Sequence, residues 1–243
     1  MLTYPKRVAT ALTVVLICLS SLASGQVYYL GAGFNGAFTG VKGLNQLVKN
    51  YNTTRPTNQD DLKNFGLLTG YTINAGGSVS KLWFDLELGV RGQKRNARDT
   101  DKDGVAGDRD FKLKNNSLGF TVGKLWQDKK PMMAVGLRAD LGRLALRSKV
   151  AYENGLKQDW AQVQEGYRTL RLGPSFKVLL ENDLPFGLGV ILTAHYGIDL
   201  YKHNVTDWDI QLNHSRYGGA KPTIFDIRTS SFMVSVALAR IAA

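Results

Sequence analysis

The sequence predicts an all-β fold: an eight-stranded antiparallel up-and-down transmembrane β-barrel with short periplasmic turns and long extracellular loops. Three observations support this prediction. The chain repeats segments of about ten residues in which apolar and polar side chains alternate. The connections between these segments are short and long in turn, and the chain opens with the features of an export signal.

The first 25 residues have the three parts of a secretory signal peptide. A basic start, MLTYPKR, is followed by the apolar run VATALTVVLICLSSL and by the small residues ASG before Gln26. The run is shorter than the roughly 20 residues that a membrane-spanning helix needs. We therefore expect residues 1–25 to be a cleaved signal peptide and residues 26–243 to form the barrel domain. Cys18, the single cysteine, would leave with the signal, so we expect no disulfide.

Eight segments carry the alternating pattern, which is clearest at 188–201, where Val190 and Leu192 alternate with Thr193 and His195. The segments lie at about 27–38, 67–74, 82–92, 113–126, 132–147, 167–181, 188–202 and 228–242. A soluble sandwich or barrel also alternates, with its apolar face turned inward. Alternation alone therefore leaves the soluble and the membrane barrel open.

The connections favour the membrane barrel. The even-numbered ones are short: NAGGSVSK, QDKKP and ENDLPFG. The odd-numbered ones are long, at about 39–66, 93–112, 148–166 and 203–227. Short turns at one end and long loops at the other are typical of barrels in the outer membrane of Gram-negative bacteria. Aromatic residues near the strand ends, such as Tyr29, Trp83 and Tyr167, are expected to form the interfacial girdles of such a barrel.

Charged residues recur on the polar faces, which would line the lumen. They are Asp85, Glu87, Arg91, Arg138, Asp140, Arg171, Lys177, His195 and Asp199. Opposite charges in so narrow a barrel should pair, because an unpaired buried charge is strongly destabilising. A lumen filled in this way favours a non-catalytic membrane scaffold or interaction protein. A continuous wet path would instead make a narrow channel for small solutes, and this alternative stays open.

Residues 99–110, DTDKDGVAGDRD, match the ligand spacing of an EF-hand calcium loop. Asp99, Asp101 and Asp103 would occupy positions one, three and five, Gly104 the turn, and Asp110 position twelve. The flanking segments are strands rather than the helices of an EF-hand, and nearby lysines and arginines outnumber the acids. Weak calcium binding and a self-neutralised polar loop both stay open. Calcium is the sole cofactor that the sequence suggests.

Two long loops are candidate partner surfaces. In loop 39–66, the stretch VKGLNQLVKNY has apolar residues at helical spacing, which predicts a short amphipathic helix over the barrel mouth, either as a lid or as a docking surface. Loop 203–227 contains Trp208 and Leu212, among other apolar residues, and its apolar character suggests a contact with another envelope protein.

The chain carries a formal net charge of +11. In an exported protein the expected anionic neighbours are outer-membrane lipid and lipopolysaccharide phosphates, not nucleic acid. A lipid A-modifying enzyme would need a serine beside a histidine, and His214, Ser215 and His203 are the candidates. Adjacent residues of a strand point to opposite faces, so we expect no catalytic activity.

The export signal, the eight alternating segments, the short turns and the first loop GVKGLNQLVKNYNTTRP together resemble the small outer-membrane barrels of the OmpA/OmpX-like class, in particular the porin-family type of Bacteroidota. The resemblance covers residues 26–243 as an architecture and implies an outer-membrane location. Such chains usually end in an aromatic residue, whereas this sequence ends RIAA.

Overall fold

The computed structural model describes residues 27–40, 42–55, 60–100, 104–127, 131–163, 166–184, 188–214, 226–227 and 229–242. Eight long strands form the barrel: β1 (Val27–Gly40), β2 (Leu67–Val79), β3 (Leu82–Thr100), β4 (Ala106–Gln127), β5 (Met132–Tyr152), β7 (Tyr167–Leu184), β8 (Leu188–Asp199) and β11 (Ser230–Ala242). The remaining elements lie between them: helix α1 (Lys42–Thr53), β6 (Lys157–Gln162), β9 (His203–Asn204), helix α2 (Thr206–Asp209) with the π-helical turn Ile210–His214, and β10 (Asp226–Ile227).

The eight long strands close into an antiparallel ring. Their order is β4-β3-β2-β1-β11-β8-β7-β5, and the pairing of β4 with β5 closes it. Neighbours in the ring are neighbours in sequence, and β11 returns to β1, which is the up-and-down order that the sequence predicts. The six-residue β6 extends the sheet beside the upper part of β5.

The outer wall of the ring is apolar, and its interior is mostly polar with an apolar cluster near Tyr29 and Trp83. Phe34 and Ile73 are 68% and 57% exposed, whereas Asp85 and Arg138 are each 1% exposed. A soluble barrel would show the opposite distribution, because its apolar face would fill the interior. The protein is therefore a transmembrane β-barrel of the outer membrane, and the soluble alternative is excluded. Among the described residues, no helix is long and apolar enough to cross a membrane.

Strands β3, β4 and β5 rise well above the predicted barrel. The predicted loops 93–112 and 148–166 are wrong over much of their length, since β3 continues to Thr100, β4 begins at Ala106 and β5 ends at Tyr152. In this upper part the polarity of the two faces is reversed. Phe111 and Leu113 point inward and are fully buried, while Lys112 points outward. The apolar-out alternation of the membrane strands therefore ends below these residues, which is why the sequence pattern predicted loops here.

Helix α1 forms a lid over the extracellular end of the barrel. The apolar face predicted for it, Leu44, Leu47, Val48 and Tyr51, is buried against the raised strands. The fourth loop joins the same cluster through Val205, Trp208 and Leu212, with Trp208 wholly buried. The lid alternative is confirmed, whereas these residues of loop 203–227 do not form the exposed apolar surface that the sequence suggested.

A turn conformation at one place and a close backbone approach at another explain the local sequence. At the turn between β2 and β3, Ser80 and Lys81 both have positive φ angles, 45° and 71°, as a two-residue hairpin turn with right-handed strand twist requires. This connection is shorter than predicted because β2 continues to Val79. In β1, a Cβ added at Gly33 would lie 1.9 Å from the backbone oxygen of Val236, so only glycine fits there.

Candidate functional site

The lumen is the candidate site, and it begins at the periplasmic end with an aromatic and ionic layer. Tyr29 and Trp83 stack with their ring centroids 5.4 Å apart. Lys177 Nζ lies 2.6 Å from Asp85 Oδ1 and donates to Tyr29 Oη over 2.9 Å. The Tyr29 hydroxyl in turn donates to Asp85. All four side chains are buried, so this layer closes the lower end of the barrel with packed groups.

The middle layer is centred on Arg138 of β5. Its guanidinium contacts Glu87 Oε1 at 3.0 Å and Asp140 Oδ1 at 2.8 Å. Arg91 approaches the same Glu87 oxygen at 3.4 Å and donates to Ser117 Oγ over 3.1 Å. Two arginines from two strands therefore share one carboxylate, which fixes β3 and β5 relative to each other across the lumen.

His195 on β8 extends the middle layer. Its Nε2 lies 2.9 Å from Asp140 Oδ2, and its Nδ1 lies 2.9 Å from the backbone oxygen of Pro174. A carboxylate and a carbonyl oxygen both accept hydrogen bonds. The ring therefore lies between a carboxylate of β5 and a backbone carbonyl of β7. His195 thus links β8, β7 and β5.

The upper layer is centred on Asp199. His203 Nε2 lies 3.1 Å from Asp199 Oδ2, and the Thr229 hydroxyl donates to the same oxygen over 2.9 Å. Arg171 donates from Nε and Nη2 to Thr229 Oγ1 over 3.3 Å and 3.2 Å. Asp199 Oδ1 accepts from the backbone N–H groups of Leu170 and Tyr201. The fourth loop is thereby attached to the top of the barrel.

The apolar cluster under the lid lies above this layer. Tyr51 meets Phe111 edge to face with centroids 5.2 Å apart. Arg55 places its guanidinium 3.9 Å from the centroid of Tyr51 and donates to the backbone oxygen of Leu212. Tyr167 packs on Trp208 at 4.9 Å and donates to the backbone oxygen of Asn204. Burial, with the nearby Asp207 as the lesser cause, raises the pKa of Tyr167 to about 12.

The formal charges in the membrane part of the lumen balance. Four carboxylates are buried there, on Asp85, Glu87, Asp140 and Asp199, together with four groups that are permanently or normally cationic, on Arg91, Arg138, Arg171 and Lys177. Arg91, Arg138 and Lys177 pair directly with carboxylates, and Arg171 is linked to Asp199 through Thr229. A low-dielectric interior tolerates balanced charges that are held in this way. Each of these eight side chains is at most 2% exposed, so the described part of the lumen leaves almost no water-accessible surface around them.

Every lumen residue predicted from the sequence lies in this network: Asp85, Glu87, Arg91, Arg138, Asp140, Arg171, Lys177, His195 and Asp199. Sequence reasoning missed Tyr29, Trp83 and Thr229. Tyr29 and Trp83 were expected in the interfacial girdle, and this prediction is wrong because both lie on the inward face of their strands, as does Tyr167. Residues an even number of positions apart on a strand point to the same face. Tyr29 therefore shares a face with the polar Asn35, and Trp83 shares one with Asp85, so the sequence could have shown that both point inward.

The predicted calcium loop is divided between strand and turn. Asp110 lies within β4, opposite Asn96 on β3, and its Oδ2 is 3.1 Å from Lys149 Nζ. Gly104 has a φ of 82°, as a turn glycine requires. Asp101 and Asp103, and the side chain of Asp99, lie outside the described residues. Calcium binding at the tip of this hairpin stays a prediction, and in the structure Asp110 is engaged by a lysine.

The residues considered for catalysis do not assemble in the described part of the chain. His203 is held by Asp199 in the upper layer. Ser215 and the side chain of His214 lie outside the described residues. Among the described residues, no group of three or more histidine, cysteine, aspartate or glutamate side chains could hold a metal ion.

No family model matches the chain. No curated protein matches it either. Solved structures that it resembles include Ail of Yersinia pestis in complex with the heparin analogue sucrose octasulfate, at 9% identity, a TM-score of 0.37, and coverage of 89% of this chain and 99% of that one. AlkL in lipid bilayers gives 13% identity and a TM-score of 0.39, covering 90% of this chain and 93% of that one. Neisserial surface protein A gives 16% identity and a TM-score of 0.32, covering 88% of this chain and 98% of that one.

Proposed function

We propose that the protein is a non-catalytic outer-membrane scaffold that acts through its extracellular surface. The observation that carries this proposal is the filled lumen. An aromatic and ionic basal layer, a middle layer around Arg138, an upper layer around Asp199 and an apolar cluster under α1 follow one another along the barrel. In a barrel closed in this way, the raised strands and the lid are the surfaces available for contact with a partner.

The main alternative is a narrow channel for small solutes. Such a channel needs a continuous wet path, whereas the lumen charges are neutralised by one another and the mouth is covered by Leu44, Leu47 and Tyr51. We expect the purified protein to show no step conductance in planar lipid bilayers. Well-resolved, voltage-independent steps from the wild-type protein would refute the scaffold proposal in favour of the channel.

The surface offered to a partner is the polar side of the lid. Gln46 and Lys49 are exposed on α1, and Gln46 donates to Asn50 over 2.9 Å. Asn50 in turn donates to Asp209 over 3.2 Å, so the first and fourth loops form one surface. Amide groups that can both donate and accept suit a polar partner, such as another envelope protein, better than an apolar one.

The experiment is a mild-detergent purification of the tagged protein from its native membrane, followed by identification of the proteins that accompany it. We expect a stoichiometric partner that is lost when Gln46 and Lys49 are both replaced by glutamate. A matched control replaces Lys157 and Gln158, which are exposed on β6, with glutamate. Recovery of the wild-type barrel alone would contradict the proposal of a protein partner.

A further inference from the structure

The outer wall just above the apolar band carries a group of cations. On the outward faces of β3, β4, β5 and β7, a row of leucines is followed by rows that are basic. The leucine row is Leu88, Leu118, Leu141 and Leu170, paired strand to strand. The next outward row contains Arg143 directly opposite Arg168. On β5 and β7 the change from hydrocarbon-facing leucines to cations takes one row, a rise of about 7 Å along the strands. The same row holds Val90 on β3 and Asn116 on β4.

The rows above continue the positive charge. Lys114 follows in the next row, and in the row after it Lys94, Lys112 and Arg147 lie directly opposite one another across three strands. We name these six residues, Lys94, Lys112, Lys114, Arg143, Arg147 and Arg168, the basic belt. Within the described part of the chain, none of the six forms an ion pair with a carboxylate. Lys94 makes one cation–π contact, with Trp160 at 5.8 Å.

This arrangement is unfavourable in the protein by itself. Like charges directly opposite one another on neighbouring strands are destabilising. The nearby charge of Lys112, with smaller contributions from burial and Arg147, lowers the pKa of Lys114. Of the carboxylates higher on the raised strands, Asp110 pairs with Lys149 and Glu153 pairs with Arg98. Among the described residues, no carboxylate pairs with the basic belt at its own level.

A concave apolar surface lies directly below the belt. It has a volume of about 810 Å³ and reaches from apolar side chains of the membrane band to the two arginines at its upper end. Its lining includes Ile73, Leu88, Leu118 and Leu141, with Arg143 and Arg168 above them. An acyl chain along this surface would place a phosphorylated head group beside the arginines. A soluble polyanion would gain nothing from the apolar part.

We propose that the basic belt and the apolar surface below it bind a phosphorylated lipid of the outer leaflet, a lipid A-type molecule, with its phosphates on the cations and an acyl chain along the wall. Phosphate is the anion that a cluster of lysine and arginine side chains at a membrane surface recognises best. The proposal is independent of the lid surface, because the belt lies on the outer face of β3, β4, β5 and β7, just above the apolar band.

The test uses the full-length mature protein in nanodiscs of phosphatidylcholine, to which diphosphorylated lipid A is added, with native mass spectrometry counting the lipid retained. In the test variant, Lys112, Arg143 and Arg147 are each replaced by glutamine. In the matched control, the exposed Lys49, Lys63 and Lys157 are replaced by glutamine, which removes the same charge from the lid and the β6 region. We expect the test variant to bind lipid A on the order of 100-fold more weakly than the control does.

Two further measurements separate the sources of phosphate. Dephosphorylated lipid A should bind the wild type no better than it binds the test variant, because the phosphates are the recognised groups. The deacylated head group and heparin should bind the wild type weakly, because neither contacts the apolar surface. If either soluble anion matches intact lipid A, the belt is a site for soluble polyanions and the proposal fails.

Folding provides a check on the variant itself. In nanodiscs of phosphatidylcholine alone, the test variant should resist urea at least as well as the wild type, because cross-strand repulsion has been removed. If the triple variant does not insert, the single change Lys112→Gln, which should weaken lipid A binding on the order of fivefold, replaces it. Equal lipid A binding by the test and control variants would overturn the proposal.

Discussion

Arg138 contacts two carboxylates at once, Glu87 and Asp140, and is 1% exposed. Replacing it with alanine would leave both carboxylates buried with an unbalanced negative charge. We expect Arg138→Ala to lower the free energy of unfolding by about 3–5 kcal/mol. Urea unfolding of the protein in lipid vesicles, followed by tryptophan fluorescence, measures this change.

The control for Arg138 is Arg240→Ala, which removes an exposed arginine from the outward face of β11. This variant should unfold within about 1 kcal/mol of the wild type. If both variants unfold alike, the middle layer contributes little to stability. If Arg138→Ala instead leaves stability unchanged and opens a conductance, the lumen is a gated path rather than a structural plug.

Tyr167 should make the lid sensitive to alkaline pH. Its pKa is raised to about 12 in the folded protein, mainly by burial. An unfolded tyrosine loses its proton near pH 10. The folded state therefore holds its proton more tightly, and the resulting stability is present in full below about pH 10 and is lost between about pH 10 and pH 12. The environment of Trp208, against which Tyr167 packs, should report the change.

The measurement is the fluorescence of a variant in which Trp83, Trp126 and Trp160 are replaced by phenylalanine, followed from pH 9 to pH 12. The same titration with Tyr167→Phe added is the comparison, because phenylalanine cannot ionise. An identical alkaline transition in both proteins would show that another group controls the lid.

At the scale of single elements, helix α1 depends on the barrel beneath it. A twelve-residue helix is marginal in water without tertiary packing, and α1 buries Leu44, Leu47, Val48 and Tyr51. We expect Leu47→Ala to destabilise the lid by about 2–4 kcal/mol while the eight strands stay formed. Hydrogen exchange of residues 42–53, compared with that of β8, measures the local opening.

Lys49→Ala is the matched control on the exposed side of the same helix. It keeps the apolar face and should leave hydrogen exchange in α1 nearly unchanged. Equal loss of protection in β8 and α1 after Leu47→Ala would mean that lid and barrel unfold as one unit, contrary to this prediction.

Prediction from the sequence succeeded for strands that follow one rule along their length. β8 keeps apolar residues outward along its whole length and, apart from Ile191, glycine or polar residues inward, and its bounds differ from the prediction by only a few residues. β4 begins at Ala106, whereas the predicted start was near 113. The upper part of this strand was missed because its outer face meets water and its inner face packs against the lid cluster. Apolar and polar residues still alternate there, but the apolar ones point inward and the polar ones outward. The pattern expected of lipid-facing strands therefore does not apply.

The lumen site was predictable because charged residues on a lipid-facing wall are excluded by their cost in hydrocarbon. That cost predicts that the side chains of Asp85, Arg138 and His195 point into the lumen, even though their partners are unknown from the sequence. The pairing itself depends on register and on side-chain length across the lumen, which the sequence does not state. Thr229 and the attachment of the fourth loop through Asp199 are consequences of that register.

For the whole molecule, the architecture predicts which end faces the outside of the cell. Asn154 lies in the hairpin that connects β5 and β6, and Ser80 lies in the two-residue turn between β2 and β3. We expect Asn154→Cys to react with a membrane-impermeant maleimide in intact cells. Ser80→Cys should react only after the outer membrane is permeabilised. Labelling of both positions in intact cells would contradict the orientation.

The single-row change from Leu88, Leu118 and Leu141 to Arg143 and Arg168 also determines how deep the protein sits in its bilayer. Sinking by one row would bring two arginines into hydrocarbon, and rising by one row would expose leucines to water. Both displacements are costly, so this side of the barrel has one favourable depth. In a bilayer of different thickness, the lipid must thin or thicken around β5 and β7, or the barrel must tilt. The protein therefore favours one local thickness of the lipid leaflet that surrounds it.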